Sequence, residues 1–231
     1  MAAIFTWTNL REYTYSNSKT PYMTSPALSA YIQTNSIPES ELLQELYLQT
    51  LHLQRGAHMI SGPEQGRFLS WMSQLIKPKT ILELGTFTGY SALCLAEGLQ
   101  TDGKLYTLEQ DEIVLSTAKS FFSRSAYKNQ IIPIHGKISY TLTTLNETYD
   151  LIFIDADKKE YQHYAEYLIP KLKTGGLLIS DNVLWKGRVI DLAPDRIGQY
   201  MIDYNHFLNT HPALKVFILN MRDGLSLAQK I

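Results

Sequence analysis

Short apolar runs alternate with helical patterns along the chain from residue 80 onward. Apolar strands separated by helices are typical of a parallel sheet that helices cover on both faces. Only residues 220–224 join the last two runs, and because so short a link cannot form a crossover, the final strand is expected to run antiparallel. The sequence therefore predicts an α/β fold with a doubly wound, seven-stranded, mostly parallel sheet. The predicted strands are 80–84, 104–108, 130–135, 150–154, 177–180, 214–219 and 225–228.

Helical patterns also precede the first strand. Residues 26–34, a segment that follows Pro38, and residues 63–77 carry apolar side chains at helical spacing. Residues 1–25 show no clear period and are predicted to be irregular, ordered only by packing on the body or on a second subunit. Between the strands, further helices are predicted at 90–99, 111–126, 139–145, 160–169 and 195–209.

The chain length of 231 residues is enough for one α/β domain with a modest additional segment. We expect residues 1–60 to form an N-terminal tail and helices, which act as a cap or dimer segment of the same domain. Residues 61–231 are expected to form the main domain.

Composition and charge exclude several classes of protein. No apolar run approaches the roughly 18 residues that span a bilayer, so a membrane partner is not expected. The first residues lack the basic and apolar blocks of a secretory signal, and the single cysteine, Cys94, excludes a disulfide framework, so we expect a cytoplasmic protein. The formal net charge of −1 provides no field that attracts polyanions, and a nucleic-acid partner is not expected.

The first predicted strand ends in an acid, Glu83, and a turn with two glycines. Gly85 and Gly89 can adopt backbone angles that other residues avoid, and without a Cβ atom they would let a ligand lie against the main chain. The second strand is followed by Glu109, 24 residues after Gly85, close to the spacing of an acid that binds the ribose hydroxyls of a nucleoside. Each feature alone is also typical of a structural turn or a helix cap, but the pair favours a ligand that contains adenosine.

Acidic and amide side chains follow two later strands. Asp155 and Asp157 come directly after the fourth strand, and Asp181 and Asn182 follow the fifth. If these strands are neighbours, Asp155, Asp181 and Asn182 converge at one edge of the sheet, where their oxygens suit a hard cation such as Mg²⁺. The alternative is structural, with one of the first two acids capping the next helix and the Asp-Asn pair forming a turn.

Five pieces of the chain together resemble one known family. The pieces are 61–66, 82–91, 154–158, 181–185 and 222–224, and in order and spacing they cover about residues 55–230. The chain resembles the cation-dependent class I O-methyltransferases of the caffeoyl-CoA and catechol type. The resemblance implies a Rossmann-like fold, S-adenosylmethionine as the cofactor and a homodimer.

The resemblance also assigns roles to individual residues. It implies that Asp155, Asp181 and Asn182 bind the divalent cation and that Lys158 is the general base, so Lys158 and Asp155 are the expected catalytic residues. The implied cofactor-binding residues are Ser61, Glu83, Gly85, Thr86, Ser91, Glu109, Ile138, Asp155 and Asp157.

The expected reaction is methylation of a small catechol-like or caffeoyl-type aromatic. A phenol has a pKa of about 10 and is a weak nucleophile at neutral pH, and binding of two adjacent hydroxyls by Mg²⁺ lowers that pKa. The acceptor is left open, because Lys186 stands where the plant enzymes have Asn and the segment 187–194 differs from theirs in length. Tyr200 and Tyr204, four residues apart on a helix, are equally consistent with an aromatic pocket and with packing.

Three alternative functions are retained. The first is methylation of a hydroxylated nucleoside in tRNA, which the near-zero net charge disfavours. The second is a nicotinamide-dependent dehydrogenase, which the turn from Gly85 to Gly89 disfavours because it lacks the glycine spacing of the dinucleotide fingerprint. The third is a relative that binds the cofactor without turnover, although each proposed metal ligand and Lys158 are present.

Overall fold

The computed structural model describes residues 26–52 and 56–231, so the prediction for residues 1–25 lies outside the described residues. The chain divides into two units between Pro38 and Glu39. The smaller unit contains helix α1, Pro26–Thr34, at the predicted bounds. The larger unit, Glu39–Ile231, contains the sheet and the other helices. In the described part of the chain, every helix is too short or too polar to cross a membrane.

Seven strands form one sheet in the order β3-β2-β1-β4-β5-β7-β6. The pairs among β1 to β5 are parallel, and β7 is antiparallel to both of its neighbours, which confirms the predicted final strand. The strands are β1 Thr80–Leu84, β2 Lys104–Glu109, β3 Ile131–His135, β4 Tyr149–Ile154, β5 Leu172–Asp181, β6 Leu214–Leu219 and β7 Leu225–Lys230.

Strand β5 is longer than the predicted 177–180. Its extra residues begin with Leu172, which pairs with Tyr149 before the register shifts. The added segment contains Gly175 and Gly176, and glycine is a poor strand former, so local propensity underestimated this strand. Pairing with a neighbouring strand therefore decides the start of β5.

The helices agree with the predicted positions and differ mainly at their ends. Residues 97–99 are a turn closed by short-range hydrogen bonds and not the last turn of a helix, because Gly98 N donates to Leu95 O and Leu99 N to Ala96 O. A 3₁₀ turn, Leu142–Thr144, completes the short predicted helix near 139–145. The helices of the larger unit are α2 Glu41–Leu51, α3 Gly62–Ile76, α4 Tyr90–Ala96, α5 Glu112–Arg124, α6 Ile138–Thr141, α7 Tyr161–Leu168 and α8 Arg196–Thr210.

Hydrophobic cores lie on both faces of the sheet. Successive side chains of a strand point to opposite faces, so Ile81 packs with α2 to α5, whereas Leu82 and Leu84 pack with α6 to α8. These strand residues are fully buried. The covered sheet leaves the carboxyl ends of the parallel strands as the edge at which polar side chains gather.

Candidate active site

A hydrogen-bonded polar cluster surrounds Glu83 at the end of β1. The Glu83 carboxylate is fully buried and accepts hydrogen bonds from Ser91 Oγ at 2.5 Å and Thr107 Oγ1 at 2.5 Å. Thr86 Oγ1 lies 2.5 Å from the same Thr107 hydroxyl. The structure thus brings together three predicted cofactor-binding residues, with Thr107 of β2 as the link between them.

Burial raises the pKa of Glu83 to about 8. The hydroxyls of Ser91 and Thr107 favour the charged carboxylate and oppose this rise, whereas the charges of Asp155 and Glu109 add to it. In the ligand-free protein near neutral pH, this carboxyl group therefore holds a proton that it would release in the unfolded chain.

This shift predicts that the protein loses stability as pH rises. A raised carboxyl pKa contributes stability that is present below the unfolded value of 4.5 and is lost as pH approaches about 8. Between pH 5 and 8 the free energy of unfolding is expected to fall by about 3 kcal/mol from this group. Glu83→Gln should remove that dependence, as measured by urea unfolding of the ligand-free protein at several pH values.

The exposed Glu166 of α7 supplies the matched control, since Glu166→Gln should keep the pH dependence of the wild type. A Glu83→Gln chain whose stability still falls as steeply as that of the wild type would contradict the assignment to Glu83.

The glycine turn after β1 is fixed by two neighbouring strands. Gly85 has φ +98°, and a Cβ atom there would lie 1.9 Å from the carbonyl oxygen of Asp155 at the end of β4, so only glycine fits. The Glu109 carboxylate at the end of β2 accepts hydrogen bonds from Phe87 N at 2.8 Å, Gln110 N at 2.8 Å and Asp111 N at 2.9 Å. The glycine turn and the Glu109 carboxylate are therefore held in a fixed position relative to each other.

A second polar cluster lies at the end of β4. Lys158 Nζ is 2.8 Å from Asp155 Oδ1 and 2.8 Å from Tyr161 Oη, and the lysine side chain is 13% exposed. A 3₁₀ turn, Lys158–Glu160, begins here, and its cap is Asp157, whose side chain accepts from Lys159 N. Asp157 thus caps the turn, as the structural alternative expected, whereas Asp155 faces Lys158.

The end of β5 supplies the third group. Asp181 is buried, and its two carboxylate oxygens accept from Asn182 N at 2.6 Å and Gln65 Nε2 at 2.7 Å. Burial and the charge of Asp155 raise the pKa of Asp181 to about 6, whereas the hydrogen bond from Gln65 and the charge of Lys158 lower it. The sequence predicts that Asp155 and Asp181 converge if their strands are neighbours. Strands β4 and β5 are paired in the sheet, so this condition is met.

The loop after β5 is held by the turn between β6 and β7. Val183 N donates to Gly224 O at 3.1 Å, and Leu184 N donates to Asp223 O at 3.0 Å. A Cβ atom on Gly224 would lie 2.4 Å from Leu184 Cγ, so glycine is needed for this contact. The loop that carries Asn182, which has φ +59°, is thereby fixed by the final hairpin.

The remaining predicted residues lie near strand and helix ends. Ser61 precedes α3 and Ile138 begins α6, and both are buried. Tyr204 is fully buried and hydrogen-bonded to Ser180 Oγ at 2.5 Å, so it packs beneath the sheet edge and does not line an open pocket. Among the described residues, no cluster of three or more His, Cys, Asp or Glu side chains is arranged to hold a metal. The candidate ligand set predicted from the sequence is different in kind, because it consists of two carboxylates and one amide.

Three residues at the site have roles that the sequence did not indicate. Gln65 contacts Asp181 across 116 positions of sequence, Thr107 bonds Glu83 from a neighbouring strand, and Tyr161 contacts Lys158. Only the Tyr161 contact is local, since Tyr161 stands three residues after Lys158, and this short separation is the one signal of the three contacts that the sequence contains.

Comparison with known proteins identifies the family. Residues 33–231 match the family model described as O-methyltransferase. A caffeoyl-CoA O-methyltransferase from Populus kitakamiensis is 30% identical over 222 residues, which cover 90% of this chain and 94% of the relative. A catechol O-methyltransferase from Niastella koreensis is 35% identical over 177 residues, which cover 72% of this chain and 80% of the relative. The crystal structure of the O-methyltransferase from Bacillus cereus in complex with SAH matches with a TM-score of 0.83 and 29% identity, and covers 89% of this chain and 97% of that chain. The chain therefore belongs to the S-adenosylmethionine-dependent O-methyltransferase family.

Proposed function

We propose that this protein uses a divalent cation, expected to be Mg²⁺, to transfer a methyl group from S-adenosylmethionine to one hydroxyl of a small aromatic vicinal diol. The observation that carries the proposal is the position of Lys158 Nζ, 2.8 Å from Asp155 Oδ1, next to the buried carboxylate of Asp181. A base beside two carboxylates suits cation-assisted deprotonation of a hydroxyl, because the carboxylates can hold the cation next to the group that takes the proton.

The edge formed by β1 and β2 fits the cofactor. The turn at Gly85 brings the main chain close to the end of β4, and Glu109 is fixed beside it by three main-chain N–H groups. A carboxylate held in this way is suited to accept hydrogen bonds from ribose hydroxyls. S-adenosylmethionine, when bound, supplies an electrophilic methyl group on its sulfonium. The Bacillus cereus relative in complex with SAH supports this assignment.

The edge formed by β4 and β5 fits a hard cation. Asp155, Asp181 and Asn182 offer carboxylate and amide oxygens, and the pKa of Asp181 is raised by burial first and by the negative charge of nearby Asp155 second. Gln65 Oε1 is buried beside Asp181 and lacks a hydrogen-bond partner among the described residues, as expected of a polar pocket that a ligand completes. A bound cation supplies charge that lowers the pKa of the acceptor hydroxyl.

The side chains at this edge have two roles in the proposed reaction: one accepts a proton, and the others hold the reacting groups in position. Lys158 Nζ is the atom that takes the hydroxyl proton: as the neutral amine it would accept the proton and become an ammonium, and Asp155 and Tyr161 hold it in place. Gln65 and Asn182 N fix the two oxygens of Asp181. Direct transfer of the methyl group needs no covalent enzyme intermediate, so alignment and electrostatics are the contributions of the protein.

A small acceptor is supported by the charge and by the relatives. The net charge of −1 favours a small molecule over tRNA, because phosphate contacts dominate nucleic-acid affinity. The names of the Populus kitakamiensis and Niastella koreensis relatives specify caffeoyl-CoA and catechol. We therefore assign the acceptor class as a 1,2-dihydroxy aromatic.

Methyl transfer to catechol in the presence of Mg²⁺, with phenol as the matched one-hydroxyl acceptor, tests the proposal directly. Catechol is expected to react at least about tenfold faster than phenol, and EDTA should lower the catechol rate about tenfold or more, because only the diol offers two oxygens to the cation. Excess Mg²⁺ should restore the rate. Formation of S-adenosylhomocysteine is the measurement.

Two controls make the result decisive. Binding of S-adenosylmethionine, followed by calorimetry with and without EDTA, separates loss of cation from loss of cofactor. A rate that EDTA leaves unchanged would exclude the cation, and methylation of tRNA in preference to catechol would exclude the proposed acceptor.

A further inference from the structure

We propose that Tyr161 is a positioning residue for methyl transfer, because its hydroxyl holds Lys158 in place and links the two strand ends that carry Asp155 and Asp181. The inference rests on the proposed function, in which Lys158 accepts the hydroxyl proton. Tyr161 begins α7 and is fully buried beneath the candidate site.

The Tyr161 hydroxyl makes contacts on three sides. It accepts a hydrogen bond from Lys158 Nζ at 2.8 Å. It donates toward Ile154 O at 3.2 Å, at the end of β4, and toward Asp181 O at 3.1 Å, at the end of β5. Since a phenol hydroxyl has one proton and two lone pairs, these contacts use its donor fully and one acceptor position.

The two carbonyl contacts lie where the regular pairing of β4 and β5 stops. The last paired residues are Ile154 and Ser180, and Asp155 and Asp181 each follow by one position. The Tyr161 hydroxyl contacts the carbonyl of Ile154, which precedes Asp155, and the carbonyl of Asp181. It therefore fixes the distance between the two strand ends that position the carboxylates. Beyond this pair, β4 and β5 are no longer joined by backbone pairing, and the Tyr161 side chain connects them instead.

Lys158 needs this support because a lysine side chain is flexible. Its ammonium group has two acceptors at 2.8 Å, Asp155 Oδ1 and Tyr161 Oη, which together define the direction of the side chain. Without the hydroxyl, the contact with Asp155 and the position of Lys158 Nζ over the ring, 4.9 Å from its centroid, would remain, but Lys158 would lose one of its two acceptors and gain rotamer freedom. A displacement of about 1 Å at a reacting group can cost about 100-fold in rate.

The ring of Tyr161 is held independently of its hydroxyl. Tyr204 packs against it edge to face, with ring centroids 5.3 Å apart and an interplanar angle of 76°. Tyr204 itself is anchored to β5 through Ser180 Oγ. Phenylalanine at position 161 would keep this packing, so Tyr161→Phe removes the hydroxyl with little change in shape.

The test compares Tyr161→Phe with Tyr149→Phe. Tyr149 is also fully buried, but it begins β4 at the opposite end of the sheet, and its hydroxyl has no hydrogen-bond partner among the described residues. Tyr161→Phe is expected to lower kcat for catechol about 10- to 100-fold, with KM and the Kd for S-adenosylmethionine within about twofold of the wild type. Tyr149→Phe should leave all three unchanged.

A second readout requires no activity. In the ligand-free protein, acetylation of Lys158 by an amine-reactive ester, followed by mass spectrometry, is expected to become at least about threefold faster in Tyr161→Phe, because a side chain with fewer acceptors samples exposed rotamers. Lys159, whose side chain is 56% exposed and paired with Asp157, is the internal reference. Its acetylation rate should not change.

A double-mutant cycle shows whether Tyr161 acts through Lys158. In a Lys158→Ala background, Tyr161→Phe is expected to change the remaining rate less than about twofold, since the group that it positions is absent. An equal loss in both backgrounds, an unchanged acetylation rate of Lys158, or a wild-type kcat in Tyr161→Phe would each overturn the proposal. If the wild type fails to methylate catechol, the proposed function is wrong, whereas the acetylation rate still decides the positioning role.

Discussion

A Lys158→Ala chain is expected to lose turnover by about 10²- to 10⁴-fold while it binds S-adenosylmethionine as tightly as the wild type. The alanine removes the only amine within hydrogen-bonding distance of Asp155 in the described structure, and with it the proposed proton acceptor. The predicted cofactor-binding residues Glu83 and Glu109 are held by hydrogen bonds from other residues, Ser91 and Phe87 among them, so their geometry should persist. The measurements are kcat for catechol and the calorimetric Kd for the cofactor.

The adjacent Lys159 provides the matched control. It carries the same charge and pairs with Asp157 at 3.0 Å on the exposed side of the turn. Lys159→Ala should change kcat less than about twofold, because exposed ion pairs contribute little. Comparable turnover in Lys158→Ala and the wild type would refute the role of Lys158 as the base.

A Gly85→Ala chain is expected to be strongly destabilised. The added Cβ atom would lie 1.9 Å from the carbonyl oxygen of Asp155 and 2.8 Å from its carbonyl carbon, and both are main-chain atoms that cannot rotate away. We expect a loss on the order of 4 kcal/mol or more in the free energy of unfolding, from overlap and from the positive φ together. Urea unfolding of the ligand-free protein measures this loss.

Gly175→Ala separates backbone strain from overlap. Gly175 has φ +80°, but a Cβ atom there would have nothing within 4 Å, so the cost should be limited to about 1 to 2 kcal/mol of strain. If both variants lose the same stability, strain alone explains the requirement for glycine and the contact with Asp155 does not.

The sequence predicted the architecture because periodicity is a local signal. The alternation from residue 80 specified seven strands, and the short link at 220–224 specified the antiparallel β7. The insertion of β7 between β5 and β6 was not predicted, since strand order depends on contacts between distant residues. The start of β5 at Leu172 was missed for the same reason, because only pairing with β4 makes a strand of that segment.

Some residues of the candidate site could likewise be predicted from local sequence, and others could not. Asp155, Asp181 and Glu109 were accessible from the sequence because each stands at or just beyond the end of an apolar run. Gln65 was not, because its contact with Asp181 joins α3 to β5 and leaves no local pattern. Thr107 was also missed, since a threonine within a strand is ordinary and its role depends on the buried Glu83 of the neighbouring strand.

The hydrogen bonds from Val183 and Leu184 to the turn between β6 and β7 have a consequence for synthesis of the chain. That hairpin follows every other element in sequence, and its second strand, β7, is the direct neighbour of β5. While the ribosome is still making β6, the loop that carries Asn182 has neither contact. A nascent chain can therefore assemble the strand ends of β1 and β2 first, and the proposed cation ligands gain these supporting contacts only after Gly224 has emerged.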